Sequence, residues 1–380
     1  MVWLRLDGSG SAALGTFLNL CEINRLNSDC VNIFNGKAIY TEVYPKLLKD
    51  KDSFNLLSIA EYFNDSIAKF CSLVQKPVLA YCNVRDQIER FNVAINHIGN
   101  WRYEPLAKKF NFTCRDYKSL FPEPSYEVCT QDLITFASSI PAVSSLYLYY
   151  PKMQRSTSIN FHKRLEYLTL KDIIYVDMSE ISFSKAFDTF TRLSSIFGFK
   201  APKEQDRHIF EGKIYSGMSY AHFPVTLYAH PNDISCQKQD LSSLEKEGGF
   251  ELILTLKQRV QDLSLYKDLT QEILLNPKDN VIVLIEKDKA EAFLQNQALF
   301  NEAKKYLQEY MQAYSLELKR IKDSLVSAEQ ILSYLREHKN LRMHIKTSLD
   351  KSLQDLKSKR PDIVASWKYY QEFEKMCEEG

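Results

Sequence analysis

The chain has 380 residues, enough for one large α/β domain with an appended helical part or for two to three smaller units. Its 49 basic and 48 acidic residues leave a formal charge of +1, which excludes a global field for nucleic acid or anionic membrane, so any anion site has to be local. Aromatic residues make up 12% while Gly and Pro number only 11 and 12, a composition that argues for a packed fold and against disorder.

The first residues read as strand, loop and helix. Val2, Trp3, Leu4 and Leu6 run into Asp7-Gly8-Ser9-Gly10-Ser11, and Leu14, Phe17, Leu18 and Cys21 then recur at helical spacing. Gly8 and Gly10 allow backbone N–H groups to crowd around an anion, Ser9 and Ser11 can cap the helix, and its amino end favours negative charge. The alternative is an ordinary Gly/Ser turn, since the full phosphate-loop consensus with Gly-Lys-Ser/Thr is absent.

Residues 29–44 read as one or two strands broken at Asn35-Gly36, and 53–73 as a helix. Residues 77–84 form an apolar run expected of a strand buried on both faces. It ends at Arg85-Asp86 and continues as a helix, which places Arg85 at the carboxyl edge of a sheet, where open α/β proteins bind ligands. Helical segments are expected around 110–121 and a strand over 144–150; another strand, 172–176, ends in Asp177-Met178-Ser179-Glu180 and leads to a helix closed by Gly198. Strands alternating with helices predict an α/β fold with a mainly parallel, doubly wound sheet.

Beyond residue 200 the pattern changes. Segments beginning at Ile209, Phe223, Phe250 and Val281 read as strands, and from Lys287 the chain is helical. Ala303, Leu307, Tyr310, Tyr314, Leu318, Ile321, Leu325, Ala328, Leu332 and Leu335 form one stripe, predicting a long helix packed along a partner, either within the chain or across a homodimer. A second amphipathic pair around Pro361 can fold back on it. The expected units are an α/β domain over 1–200, added strands and helices over 201–286, and a helical C-terminal region over 287–380.

The eight cysteines contain no Cys-x-x-Cys pair and read as reduced thiols of a cytoplasmic protein. No apolar run reaches bilayer length and no signal-peptide pattern opens the chain, so no membrane span is expected. His222 and His230 lack a third ligand at suitable spacing, so no metal is predicted. His162-Lys163-Arg164 and Arg207-His208 are local basic clusters that could hold a phosphate or an acidic glycan.

The Gly-Ser loop after the first strand, with Arg85-Asp86-x-x-Glu89-Arg90 after a later one and the Asp177 strand leading to a helix closed at Phe197-Gly198-Phe199, resembles the sulfotransferase-like (P-loop) fold family over residues 1–200. The resemblance implies that Gly8, Ser9, Gly10 and Ser11 receive the 5'-phosphosulfate of 3'-phosphoadenosine 5'-phosphosulfate, and that Arg85 receives its 3'-phosphate. The chain departs from the pattern at Gly8, where the family carries a cation that Arg5 or Lys37 would have to replace. It departs again at Val93, where a serine is expected and Asn92 stands beside it as a substitute, and it has no Arg-Lys-Gly loop. Glu42 matches the position of a catalytic glutamate in glycan-modifying members and is the first candidate for general base; His97 is the second.

The C-terminal segment through Ile363, Trp367 and Cys377 is similar to a domain of unknown function in proteins tied to bacterial surface-polysaccharide biosynthesis. Together these resemblances imply a group-transfer enzyme that modifies a hydroxyl of a capsule or lipooligosaccharide glycan with a nucleotide-activated donor. Transfer of a phosphoryl-type group such as methyl phosphoramidate from a cytidine nucleotide, glycosyl transfer from a nucleotide sugar, and a non-catalytic assembly module are the alternatives.

Overall fold

A computed structural model describes residues 1–4, 6, 8–26, 41, 43–49, 53–59, 76–102, 108–130, 133–147, 150, 168–212, 218–234, 248–260, 262–275 and 280–379. Five strands build a parallel sheet: β1 (Val2–Leu4), β2 (Asn24–Arg25), β3 (Asn55–Ile59), β4 (Val78–Val84) and, after four strands that lie elsewhere, β9 (Leu170–Asp177). Their order is β2-β3-β1-β4-β9, so the first strand is central, with Val2 beside Leu57 on one side and Ala80 on the other.

Period-two alternation divides each strand between two cores. Val2, Leu4, Ala80, Cys82, Val84, Ile173 and Tyr175 join one core, packed with the helix Gln87–Ile95 and the helices of residues 328–378. Trp3, Tyr81 and Val176 join the other, with the helices Ser11–Leu20 and Phe183–Phe197, where Phe17 stacks on Phe210 at 4.6 Å and meets Phe190 edge-on. Burial on both faces is why these strands are apolar runs without polar alternation. The helices after neighbouring strands β1 and β4 therefore cover opposite faces, which makes the carboxyl edge between those strands a topological switch point.

A second body has its own core. Strands β6 (Lys109–Asn111), β10 (Val225–Ala229), β11 (Phe250–Leu256), β12 (Tyr266–Asp268) and β13 (Val281–Glu286) pair in the order β12-β13-β11-β10-β6, antiparallel except for β6 with β10. Phe110, Leu227, Leu254 and Val283 of this sheet pack against Ala303, Tyr306, Leu307, Tyr310 and Tyr314 of the 27-residue helix Gln297–Asp323. Three more strands, β5 (Ile98–Arg102), β7 (Glu123–Thr130) and β8 (Leu133–Ser138), form a small antiparallel sheet.

Several expectations are corrected. The apolar stripe from Ala303 to Leu335 is two helices, because the first stops at Asp323 and Ser327 starts the next, Ala328–Glu337, with a capping box to Gln330. The buried residues of its first half join the second core and those of its second half the first core. Helices 328–378 share a core with the parallel sheet, and Phe110 to Phe121 share the second core.

Residues 55–59, expected in a helix, are strand β3, because Leu56, Leu57 and Ile59 are buried between β1 and β2; residues 60–73 lie outside the described set. The expected strand at 144–150 is a 3₁₀ turn over Val143–Ser145 and a helical start after it, and the expected strand at Ile209 is the helical turn Arg207–Phe210. The expected helix around 110–121 is strand β6 followed by the 3₁₀ turn Tyr117–Leu120. Short apolar runs carry no period long enough to separate strand from helix, and the neighbours settle it.

Candidate functional site

Two of the expected sites meet at the switch point. Gly8 and Gly10 have φ of 78° and 82°, and Gly10 is the amino cap of helix Ser11–Leu20 without any side-chain cap. Gly8 is required by its angle, and Gly10 by its angle together with the closeness of Met178. A Cβ on Gly10 would lie 2.5 Å from the Met178 sulfur, and one on Gly8 would touch Val93 at 3.4 Å. The Ser9 and Ser11 hydroxyls both turn back to the Leu6 carbonyl, the latter at 3.4 Å, so neither caps the helix. The amino end of that helix is thus left to backbone N–H groups and carries its positive dipole toward the carboxyl edge.

Arg85 closes the loop from the β4 side. Its Nη1 donates to the Gly8 carbonyl at 3.3 Å, and its Nε is held at 2.7 Å by Glu89 in the first turn of helix Gln87–Ile95. Asn83, completely buried within an apolar strand, donates through Nδ2 to the Ser9 carbonyl and accepts from the Tyr81 hydroxyl at 3.3 Å. A buried amide needs such partners, and Asn83 is a loop-positioning residue that attention to its polarity in the run Val-Leu-Ala-Tyr-Cys-Asn-Val could have found.

The next residue ties the site to the C-terminal helices. Asp86 Oδ1 accepts from the amides of Ile88 and Glu89, at 2.9 and 3.5 Å, and caps helix Gln87–Ile95. Its Oδ2 accepts from Tyr369 and Tyr370 at 2.9 and 3.1 Å, at the start of helix Lys368–Glu378. Burial raises its pKa, against the lowering effect of those N–H bonds. At the end of β9, Asp177 caps its own 3₁₀ turn through Ser179 and accepts from the Trp367 indole at 2.7 Å. Arg360 donates to the Tyr175 carbonyl at 3.0 Å and pairs with Glu180 at 3.3 Å. The carboxyl edge of the sheet is therefore bolted to residues 360–370 by two buried aspartates and an arginine.

Other expected site residues are not brought to this edge. The Asn92 amide is committed to the Val326 carbonyl, where Asn96 also donates at 2.8 Å, so it holds the connection between the two helices of the stripe and not the loop. His97 is exposed beyond the far end of helix Gln87–Ile95, whose nine residues span about 13 Å. Glu42, Arg5, Lys37 and the cluster at 162–164 lie outside the described residues. Arg207 is engaged by Glu204, Glu211 and Asp188 and lies 3.9 Å over the Phe187 ring, a structural use of that basic cluster. His222 is sealed in the second core, shares a hydrogen bond with the Tyr310 hydroxyl and stacks on Tyr314, and burial pushes its pKa down to about 3. No helix among the described residues is long and apolar enough to cross a membrane.

The edge brings together two glycines of positive φ, a helix start without a side-chain cap and the Arg85 guanidinium. Among known proteins, no curated protein and no solved structure matches the chain. One family model does match, that of a protein of unknown function (DUF2972), over residues 175–379. The match starts in β9, runs through helix Phe183–Phe197 and most of the second body, and takes in the helices that Asp86 and Asp177 hold. With more than half of its length covered by that model, the chain belongs to the DUF2972 family.

Proposed function

We propose that the protein is a group-transfer enzyme whose nucleotide-activated donor seats a phosphate on Gly8–Ser11 beside Arg85 and whose acceptor is a hydroxyl of a surface polysaccharide. The observation that carries the reading is the meeting of the glycine loop and Arg85 at the switch point of a parallel sheet, through the 3.3 Å contact of Arg85 Nη1 with the Gly8 carbonyl. In the reaction the acceptor oxygen attacks the transferred centre and its proton passes to a carboxylate base, assigned to Glu42. The nucleotide leaves with the bonding electron pair, its charge met by the helix dipole and Arg85. That Cys21, Cys82 and Cys114 are buried and form no disulfide among the described residues supports a reducing, cytoplasmic setting.

A specific observation favours the phosphoryl-type alternative over sulfate. Val93 packs on Gly8 and the Asn92 amide is spent on Val326, so the helix after Arg85 offers a 3'-phosphate only Arg85 itself. A donor without that phosphate, such as a cytidine nucleotide carrying methyl phosphoramidate, makes the smaller demand on this edge. The test is calorimetric binding of cytidine, uridine and 3',5'-bisphosphorylated adenosine nucleotides to the wild type, Arg85→Ala and Gly10→Val. Binding of a cytidine nucleotide that both substitutions weaken supports the reading, preference for the adenosine bisphosphate restores sulfate transfer, and no nucleotide binding at all refutes the enzyme.

A further inference from the structure

Neighbouring strands β4 and β9 are followed by the same Asp-x-x-Glu pattern and use it differently. After β9, Asp177 and Glu180 close a capping box, in which Glu180 Oε1 accepts from the Asp177 amide at 2.9 Å. After β4, Asp86 and Glu89 hold the same cap and third helical positions, and Asp86 caps helix Gln87–Ile95 in the same way. The Glu89 carboxylate turns instead to the residue before the cap, accepting from Arg85 Nε at 2.7 Å.

The consequence falls on Arg85. Its side chain is long and rotamer-rich, yet Glu89 fixes one nitrogen and the Gly8 carbonyl a second, so the planar fork is set before any ligand arrives. Nη2 makes no bond to any described residue and keeps its N–H groups for an anion. With 28% and 37% of their side chains exposed, Arg85 and Glu89 form the kind of pair that adds little to stability, so stability does not explain why Glu89 takes Arg85 and leaves the cap. A carboxylate beside an anion-binding arginine also weakens its attraction for the anion, so charge and position predict opposite effects of removing it.

We propose that Glu89 is a positioning residue for the donor phosphate, holding Arg85 through Nε so that Nη2 is presented beside Gly8. The assignment rests on the phosphate-loop reading above and adds to it the group that orients its cation.

The experiment measures, by calorimetry, binding of inorganic pyrophosphate and cytidine diphosphate to the wild type, Glu89→Ala, Glu89→Gln, Arg85→Lys and Arg85→Lys with Glu89→Ala. Because both side chains are partly exposed, the variants keep the wild-type circular dichroism. Glu89→Ala removes a negative charge and should nevertheless weaken both probes about three- to tenfold, the loss expected when one ordered side chain is released. Glu89→Gln keeps an oxygen for Nε without the charge and should bind at least as tightly as the wild type. Lysine at 85 keeps the charge but has no fork to orient, so in that background Glu89→Ala should tighten binding. Glu89→Ala binding as well as the wild type, Glu89→Gln as weak as Glu89→Ala, or an equal loss in the Arg85→Lys background overturns the positioning role and leaves the phosphate loop standing. A wild type that binds neither probe overturns both.

Discussion

Asp86 offers the sharpest test of how the site is held. One carboxylate receives four backbone N–H groups, two from each of two helices that start at Gln87 and Lys368. Asn at this position keeps one acceptor oxygen and turns an NH₂ group toward the donors of the other helix. Loss of one cap costs about 1 kcal/mol, and leaving buried N–H groups unmatched adds roughly 1–3 kcal/mol, so Asp86→Asn should cost about 2–4 kcal/mol. Asp86→Ala, which removes both acceptors, should cost more.

The pH dependence has a definite sign. Burial raises the folded pKa of Asp86 above its unfolded value, so the contribution of this group is fully present below the unfolded pKa and falls as pH rises through the folded one. The deficit of Asp86→Asn should therefore be larger at pH 4 than at pH 7. Urea denaturation followed by tryptophan fluorescence at both pH values measures it, with an unchanged slope showing that only stability moved. An unchanged midpoint would refute the double-cap reasoning, and a deficit that grows with pH would show that the N–H bonds outweigh burial at Asp86.

Other consequences can be checked alongside. Gly10→Ala should cost about 1–2 kcal/mol for its φ of 82° alone, and pairing it with Met178→Ala should recover only the clash, leaving the angular part visible in thermal melts. His222, neutral in the fold with a pKa near 3, loses stability as pH falls below the unfolded value of 6.5, at up to about 1.4 kcal/mol per pH unit. Melts of His222→Phe between pH 6.5 and 5 should show a shallower acid decline than the wild type. Trp367→Phe leaves Asp177 Oδ2 without its indole donor and should lower the unfolding free energy by about 1–3 kcal/mol; a variant as stable as wild type would show that the bond to β9 contributes nothing.

Much of the sheet's carboxyl edge was legible as local pattern. Two glycines between an apolar run and a helical period predict a loop that closes on itself, and both glycines do adopt positive φ. An apolar run ending in Arg85-Asp86 predicts a buried strand with charge at its edge, and β4 ends there with Asp86 as the helix cap. These features depend on residues a few positions apart, so sequence carries them. Asn92 was less legible. Its spacing from Arg85 placed it on the right helix, but which face it turns was decided by Val326, 234 residues away.

The sequence by itself determined where the parallel strands β1, β4 and β9 lie, where the helices after them start and stop, and that long apolar faces had to be covered. Tertiary structure alone decided what covers them. A stripe of apolar residues specifies a buried face without naming its partner, so the ten-residue pattern from Ala303 to Leu335 is equally consistent with one helix, a dimer seam or the two cores it fills. The strand order that puts β1 beside β4, and with it the contact between Gly8 and Arg85, follows from the packing of helices on opposite sheet faces. Hydrophobic burial has no direction of its own, and the hydrogen bonds of Asp86, Asn83 and Asp177 supply it only after distant segments have met.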